Sequence, residues 1–410
     1  MNQAGRRDWR TPAVMLAAGA LTLAVSFGIR HTFGLFLAPM TRDQGWTREV
    51  FAFAIAVQNL VWGAAQPFAG RIADRVGAGK TILAGSAFYV AGLLLMAQAQ
   101  SASALVLSAG LLVGVGLSGT SFAVVFGAVA RSTPPSRRSL AFGVAMSVGS
   151  LGQFAMLPGA LVSIQAIGWA STLVALAALG ALMAPLSGAL FERIPPAVSG
   201  EPHLGLRAVL AEAFSHRGFW LLSAGFFVCG FHVVFIATHL PAYLADEGLG
   251  PRTGAIVLAL VGLFNIAGSY LSGLLGDRLS KPGILVGIYA LRAVVIAAFF
   301  AAPVSEGSAY AFGAAMGLLW LSTVPPTNGT VAAVFGTTNM AMLGGIVFFF
   351  HQVGAFLGGW LGGRLYVATG SYDVVWWLSI GLALLAALLN VPVREDPVAR
   401  LRPVPEVASG

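Results

Sequence analysis

At 410 residues, with 57% hydrophobic and 9% charged side chains, the chain is far poorer in charge than a soluble domain, where about a quarter of residues carry one. A soluble enzyme or regulator is excluded, and the formal charge of +8 is read as membrane topology rather than nucleic-acid binding. The single cysteine, Cys229, excludes an internal disulfide and a thiolate metal cage, and its apolar setting makes it a packing residue. Arg6, Arg7 and Arg10 precede an apolar run too long for a signal-peptide core, with no small-residue cleavage site, so the first helix is read as its own insertion signal.

In chain order, apolar runs predict twelve membrane-spanning helices, at about 12–39, 50–70, 80–99, 104–130, 139–164, 169–191, 218–245, 253–275, 282–302, 308–332, 339–363 and 373–392. Spans 1 to 6 form an N-terminal bundle, residues 1–191, and spans 7 to 12 a C-terminal one, residues 218–392. The stretch 192–217, richer in proline and charge, is the predicted cytoplasmic linker, and 393–410 a cytoplasmic tail. With both termini inside, the cytoplasmic segments hold seventeen of the 23 basic residues and the outer segments four, a positive-inside bias.

The halves repeat. Gly70-Arg-Ile-Ala-Asp-Arg-Val-Gly-Ala-Gly-Lys80 and Gly273-Leu-Leu-Gly-Asp-Arg-Leu-Ser-Lys281 start 203 residues apart, each ending one span and opening the next, and Asp43 and Gly45 recur as Asp246 and Gly248 at the same offset. Two joined copies of one bundle predict that function lies between them.

Twelve spans, a central linker and Gly-x-x-x-Asp-Arg at the inner ends of spans 2 and 8 resemble the major facilitator superfamily over nearly the whole chain. The first copy fits the family's loop signature at Gly70, Asp74, Arg75 and Gly77, with Ala78 and Gly79 in place of the usual basic pair. The second keeps Gly273, Asp277 and Arg278 but has Ser280 where a glycine is expected. The resemblance implies an all-α membrane fold of two six-helix pseudo-repeats, alternating access, and cytoplasmic gates at these seven residues. Within the family, Gly34-Leu-Phe-Leu-Ala-Pro39, Gly45-Trp-Thr-Arg48 and a glycine-rich span 11 are similar to the bacterial monocarboxylate-porter-like branch, which includes oxalate/formate-type exchangers. The arginine expected of that branch in span 8 is missing, with Ser269 near its place.

Charge buried in a bilayer marks function by default. All fifteen acidic residues fall in loops or at helix ends, whereas Arg30, His31, Gln58, Asn59, Gln153, His232, His239, Asn265, Arg292, His351 and Gln352 lie within spans. Cations without carboxylates favour an anionic substrate, and guanidinium presents a fork suited to a carboxylate. Arg30 is the expected charge partner. Arg292 either reaches inward or pins two helices together. His232 and His239, two turns apart on one face, and His351 are expected as polar or proton-linked contacts. Pro241 is expected to bend span 7, and Pro325-Pro326 to break span 10.

The sequence thus predicts a transporter of a small organic anion, probed as a carboxylate first, in the inner membrane of a bacterium. It is expected to work as a monomer in the lipid bilayer, with no cofactor, metal, nucleic-acid partner or catalytic residue. The alternative is an exporter of amphipathic or neutral compounds, with both arginines structural and the aromatic pairs lining its path.

Overall fold

The computed structural model describes residues 9–191 and 205–401. Arg6, Arg7, Arg193, Arg402 and the first thirteen residues of the predicted linker lie outside them. Eleven helical runs among the described residues are long and apolar enough to cross a membrane, and one of these, Pro135–Leu190, is two spans. Within Arg138–Ala181 of that run, Gly168, at φ 81° and ψ 164°, is the one non-helical residue and divides the two. A positive φ of this kind is costly for any residue with a Cβ. The chain therefore has the twelve spans predicted, in two sets of six.

Span 1 runs Pro12–Gln44, span 2 Arg48–Val76, span 3 Ala78–Met96 and span 4 Ala102–Ser132. Spans 5 and 6 divide Pro135–Leu190, and span 7 is Arg217–Asp246. Span 8 is Pro251–Gly276, span 9 Lys281–Ala301, span 10 Glu306–Phe335, span 11 Met340–Thr369 and span 12 Asp373–Asn390. A short helix, Leu206–Ser215, occupies the described part of the linker. Span 7 stays helical through Pro241.

Local chemistry sets the ends. Thr11 caps span 1 by accepting from the Val14 amide, with Pro12 at the first helical position. Gly45 and Gly248, a repeat pair, end spans 1 and 7 in the left-handed region at φ 67° and 82°. The two gate hairpins differ at one step of the repeat. Gly77 turns at φ 100°, whereas Ser280 sits at φ −58° and its hydroxyl caps span 9 by accepting from the Gly283 amide. The serine needs no left-handed backbone there, which is why the second copy dispenses with glycine.

Two spans break at mid-depth. Span 4 stops at Thr120 and restarts at Phe122 around Ser121, whose ψ of 174° is extended. Span 10 stops at Leu319 and restarts at Val324, with Pro325 and Pro326 in its new first turn. Each break frees backbone groups that apolar surroundings cannot satisfy. Gln66 of span 2 serves the first: it donates to the Ser118 carbonyl at 2.9 Å and accepts from the Ser121 hydroxyl at 2.6 Å. At the second break, Asn265 of span 8 accepts from the Leu321 amide at 3.0 Å.

The repeat extends into the packed interior. Ser26 and Thr120 join spans 1 and 4 at 2.8 Å, and Cys229 and Thr323 join spans 7 and 10 at 3.1 Å. Both members are related by the same offset of 203 that relates the hairpins. A third pair at that offset, Tyr89 and Arg292, lies beside them: Tyr89 donates to the Ser26 carbonyl, and Arg292 reaches the Cys229 sulfur.

Candidate translocation site and gates

Where the halves meet at the hairpin end, each aspartate caps a helix of the other half. Asp74 Oδ1 accepts from the Ala341 amide at 3.2 Å and Oδ2 from the Met342 amide at 2.9 Å, in the first turn of span 11. Asp277 likewise accepts from the Ser139 and Leu140 amides at 2.8 and 3.0 Å, in the first turn of span 5. A carboxylate there satisfies orphan amides and meets the positive end of the helix dipole. The two locks differ in their partners: Asp74, only 7% exposed, also takes Arg131 of span 4 at 3.1 Å. Arg75 and Arg278, beside the aspartates in sequence, are exposed. Arg71 makes the cross-half contact instead, donating to Asn339 at 2.6 Å.

Glycines let the facing spans close. A Cβ on Gly70 would run into the backbone of Ala341 and Met342, and one on Gly345 would lie 2.8 Å from the Gln66 carbonyl oxygen. On the other side Gly143 and Gly273 meet backbone to backbone. Above them Ser147 donates to the Ile266 carbonyl, and Asn265 donates to Ser150, both at 2.8 Å. These cross-half bonds run from Arg71 and Asn339 at the hairpin end to Asn59 and Gln352 at mid-depth, where Gln352 Nε2 donates to the Asn59 carbonyl at 3.2 Å.

At that depth an aromatic floor spans both halves. Trp62 of span 2 packs on Phe348 of span 11 with ring centroids 4.8 Å apart, and Phe122 of span 4 meets Phe348 edge-on at 5.1 Å. Phe27 of span 1 adjoins Trp62 and Phe122. Arg30 lies three residues along span 1 from Phe27, on the side away from the hairpins. Its guanidinium donates from Nη2 to Asn59 Oδ1 at 3.0 Å and stands 5.8 Å over the Phe33 ring. Nε has no partner, the side chain is half-buried, and none of the ion pairs among the described residues includes it.

The rest of the predicted set separates by partner. His31 is exposed, with Nδ1 2.9 Å from the Phe27 carbonyl oxygen. Gln58 turns to span 4 and donates to the Ala109 carbonyl at 2.6 Å, Gln153 is buried in span 5, and Asn265 serves the span 10 break. Arg292 is fully buried: Nε donates to the Leu319 carbonyl at 3.2 Å, and Nη2 to the carbonyls of Leu319 and Trp320, with Tyr289 beneath. It ties span 9 to the broken end of span 10, the pinning alternative read from sequence. His232 faces span 12, where Nε2 lies 2.9 Å from the Ser379 carbonyl oxygen. His239 engages the Gly359 carbonyl at 2.8 Å and the Tyr372 hydroxyl at 3.4 Å. His351 is stacked on Phe348 behind the floor. The structure therefore gathers Arg30, Asn59 and Gln352 around the floor and gives the buried histidines packing positions. Sequence reading missed Arg131, Gln66, Trp62 and Tyr89. Gln66 alone carried a signal, as a buried amide one turn from the Gly70 motif.

Residues 17–359 match the sequence model of the Major Facilitator Superfamily. Monocarboxylate transporter 11 of Mus musculus is 28% identical over 90% of this chain and 84% of its own length. The uncharacterized MFS-type transporter YcxA of Bacillus subtilis is 24% identical over 90% and 92%. Among solved structures, the transporter FucP in its outward conformation superposes with a TM-score of 0.72 at 13% identity, covering 92% of this chain and 97% of that one. This multi-pass membrane protein is a transporter, not an enzyme, and it belongs to the Major Facilitator Superfamily.

Proposed function

We propose that the protein moves a small organic anion, a carboxylate foremost, across the inner membrane of a bacterium by alternating access. The observation that carries this reading is Arg30: a half-buried guanidinium at mid-depth, above the floor shared by both halves, with an amide oxygen in place of a counter-ion. An ion held in low dielectric without a charged partner costs several kcal/mol, and an arriving carboxylate repays that cost with a forked pair of charge-assisted bonds. Relatives named monocarboxylate transporters and a bacterial MFS-type relative support it. The basic residues support an orientation with the hairpins and termini in the cytoplasm. In that orientation the locks at Asp74 and Asp277 hold the cytoplasmic side closed.

The test is thermal stabilisation of purified protein by formate, lactate and benzoate against neutral analogues, followed by uptake into proteoliposomes. A ligand bound only by the folded protein raises its stability by mass action. Carboxylates should stabilise the wild type and not Arg30→Gln. The aromatic floor favours one rival, an exporter of amphipathic or neutral compounds. Stabilisation by neutral compounds alone, unchanged in Arg30→Gln, would establish that reading in place of ours.

A further inference from the structure

Resting on the anion reading, the geometry points to Asn59 as a built-in stand-in for the substrate rather than one of its ligands. We infer that its side-chain oxygen holds Arg30 while the site is empty, and that the arriving carboxylate displaces it. We infer also that Gln352 passes this exchange to the contact between the halves.

Three observations converge on this one residue. Among the described residues, Asn59 Oδ1 is the one hydrogen-bond acceptor of the Arg30 guanidinium, at 3.0 Å. A neutral amide oxygen binds guanidinium less strongly than a carboxylate does, so it holds the fork in place and yields to the substrate. The backbone carbonyl of Asn59 meanwhile accepts from Gln352 Nε2 of the opposite half at 3.2 Å. One turn further along, Gly63 leaves room for the Gln352 stem: a Cβ there would lie 2.7 Å from Gln352 Cβ. The residue that releases Arg30 is thus the residue on which span 11 rests. It sits at the mid-depth limit of the hydrogen bonds that join the halves. When Oδ1 is displaced, the Asn59 side chain must turn to a new partner beside the Gln352 amide, at the place where the two bundles part or hold.

An internal competitor taxes affinity by the fraction of time that it occupies the site. Removing it should therefore tighten binding, the reverse of removing a ligand. In thermal stabilisation by whichever of formate, lactate or benzoate acts on the wild type, Asn59→Ala should bind about tenfold tighter, the weight of one charge-assisted bond. Its maximal uptake should fall, because the exchange no longer reports to span 11. Asn59→Asp places a permanent carboxylate at Arg30: it should melt higher than wild type without ligand and gain nothing from added carboxylate. Gln352→Ala should keep the wild-type dissociation constant and lose maximal uptake. Weaker or unchanged binding in Asn59→Ala, or carboxylate stabilisation of Asn59→Asp equal to wild type, overturns the proposal. The Arg30→Gln control separates the two readings. If it still responds to carboxylates, or if the wild type responds to none, the anion reading has failed and this inference with it. If it does not respond while the Asn59 variants behave as wild type, only the stand-in has failed.

Discussion

Replacing Asp74 by alanine should shift the protein from the state closed at the hairpin end toward the state open there. In the closed state the carboxylate accepts from two span 11 amides and from Arg131, at 2.9 to 3.2 Å. Bonds to a charged group contribute about 1.5–3 kcal/mol each in favourable settings, and a helix cap about 1 kcal/mol. The Arg131 bond lies within one half and survives opening, so the loss falls on the two span 11 amides and is about 3 kcal/mol, or roughly a hundredfold in the equilibrium. The assay uses a reporter cysteine in place of Ser139, whose side chain is buried against Gly276 and Gly329 of the other half at the hairpin end. The native thiol is first removed as Cys229→Ser, a change for which the repeat supplies the template, since Ser26 fills the matching position. Alkylation of the reporter by a polar maleimide should be slow with Asp74 and about a hundredfold faster with alanine, in step with the shifted population. Equal rates would refute the assignment of Asp74 as a lock on this state.

Three further outcomes follow from the same contacts. Gly70→Val and Gly273→Val should each abolish uptake while the protein still folds, because the facing backbones of Ala341 and Gly143 leave no space for a side chain in the closed state; retained uptake would count against close approach as the gate. Arg292→Gln should lower the melting temperature, losing about 3–5 kcal/mol as the carbonyls of Leu319 and Trp320 lose their donor, and Arg292→Lys should rescue little of it because a point charge cannot replace the fork. His239→Ala should cost about 1–2 kcal/mol of stability and leave carboxylate binding unchanged, since both ring nitrogens face protein partners; a lost ligand response would return this histidine to the substrate path.

The spans were legible because an apolar run long enough to cross a bilayer leaves a strong signal, and the gates because their motif recurs at a fixed offset. The break at Ser121 was not. No proline marks that residue, Gly119 before it stays helical, and the break is served by Gln66, 55 positions before Ser121, which accepts from the Ser121 hydroxyl and donates to the Ser118 carbonyl. Pro325 and Pro326, by contrast, announced the break in span 10, although the chain breaks before them because proline favours a helix's first turn. The direction in which a buried side chain points was the least accessible quantity. His232 and His239 share a face as their spacing requires, yet that face meets spans 11 and 12. Arg30 and Arg292 look alike in sequence. They differ because span 10 offers broken-end carbonyls to Arg292, while span 2 offers Arg30 only an amide.

Across the contact between the halves, the two aspartate locks dock on peptide amides; the side-chain partner of Asp74, Arg131, belongs to its own half. The hydrogen bonds themselves therefore do not depend on the side chains of Ser139, Leu140, Ala341 and Met342, which are constrained instead by volume, because Ser139, Ala341 and Met342 are buried where the halves meet. Proline alone removes one of these bonds. The chemical demand of each lock thus falls on its carboxylate side, and the receiving side is held to a size rather than to a chemistry. Small or isosteric exchanges at the starts of spans 5 and 11 still close the same door.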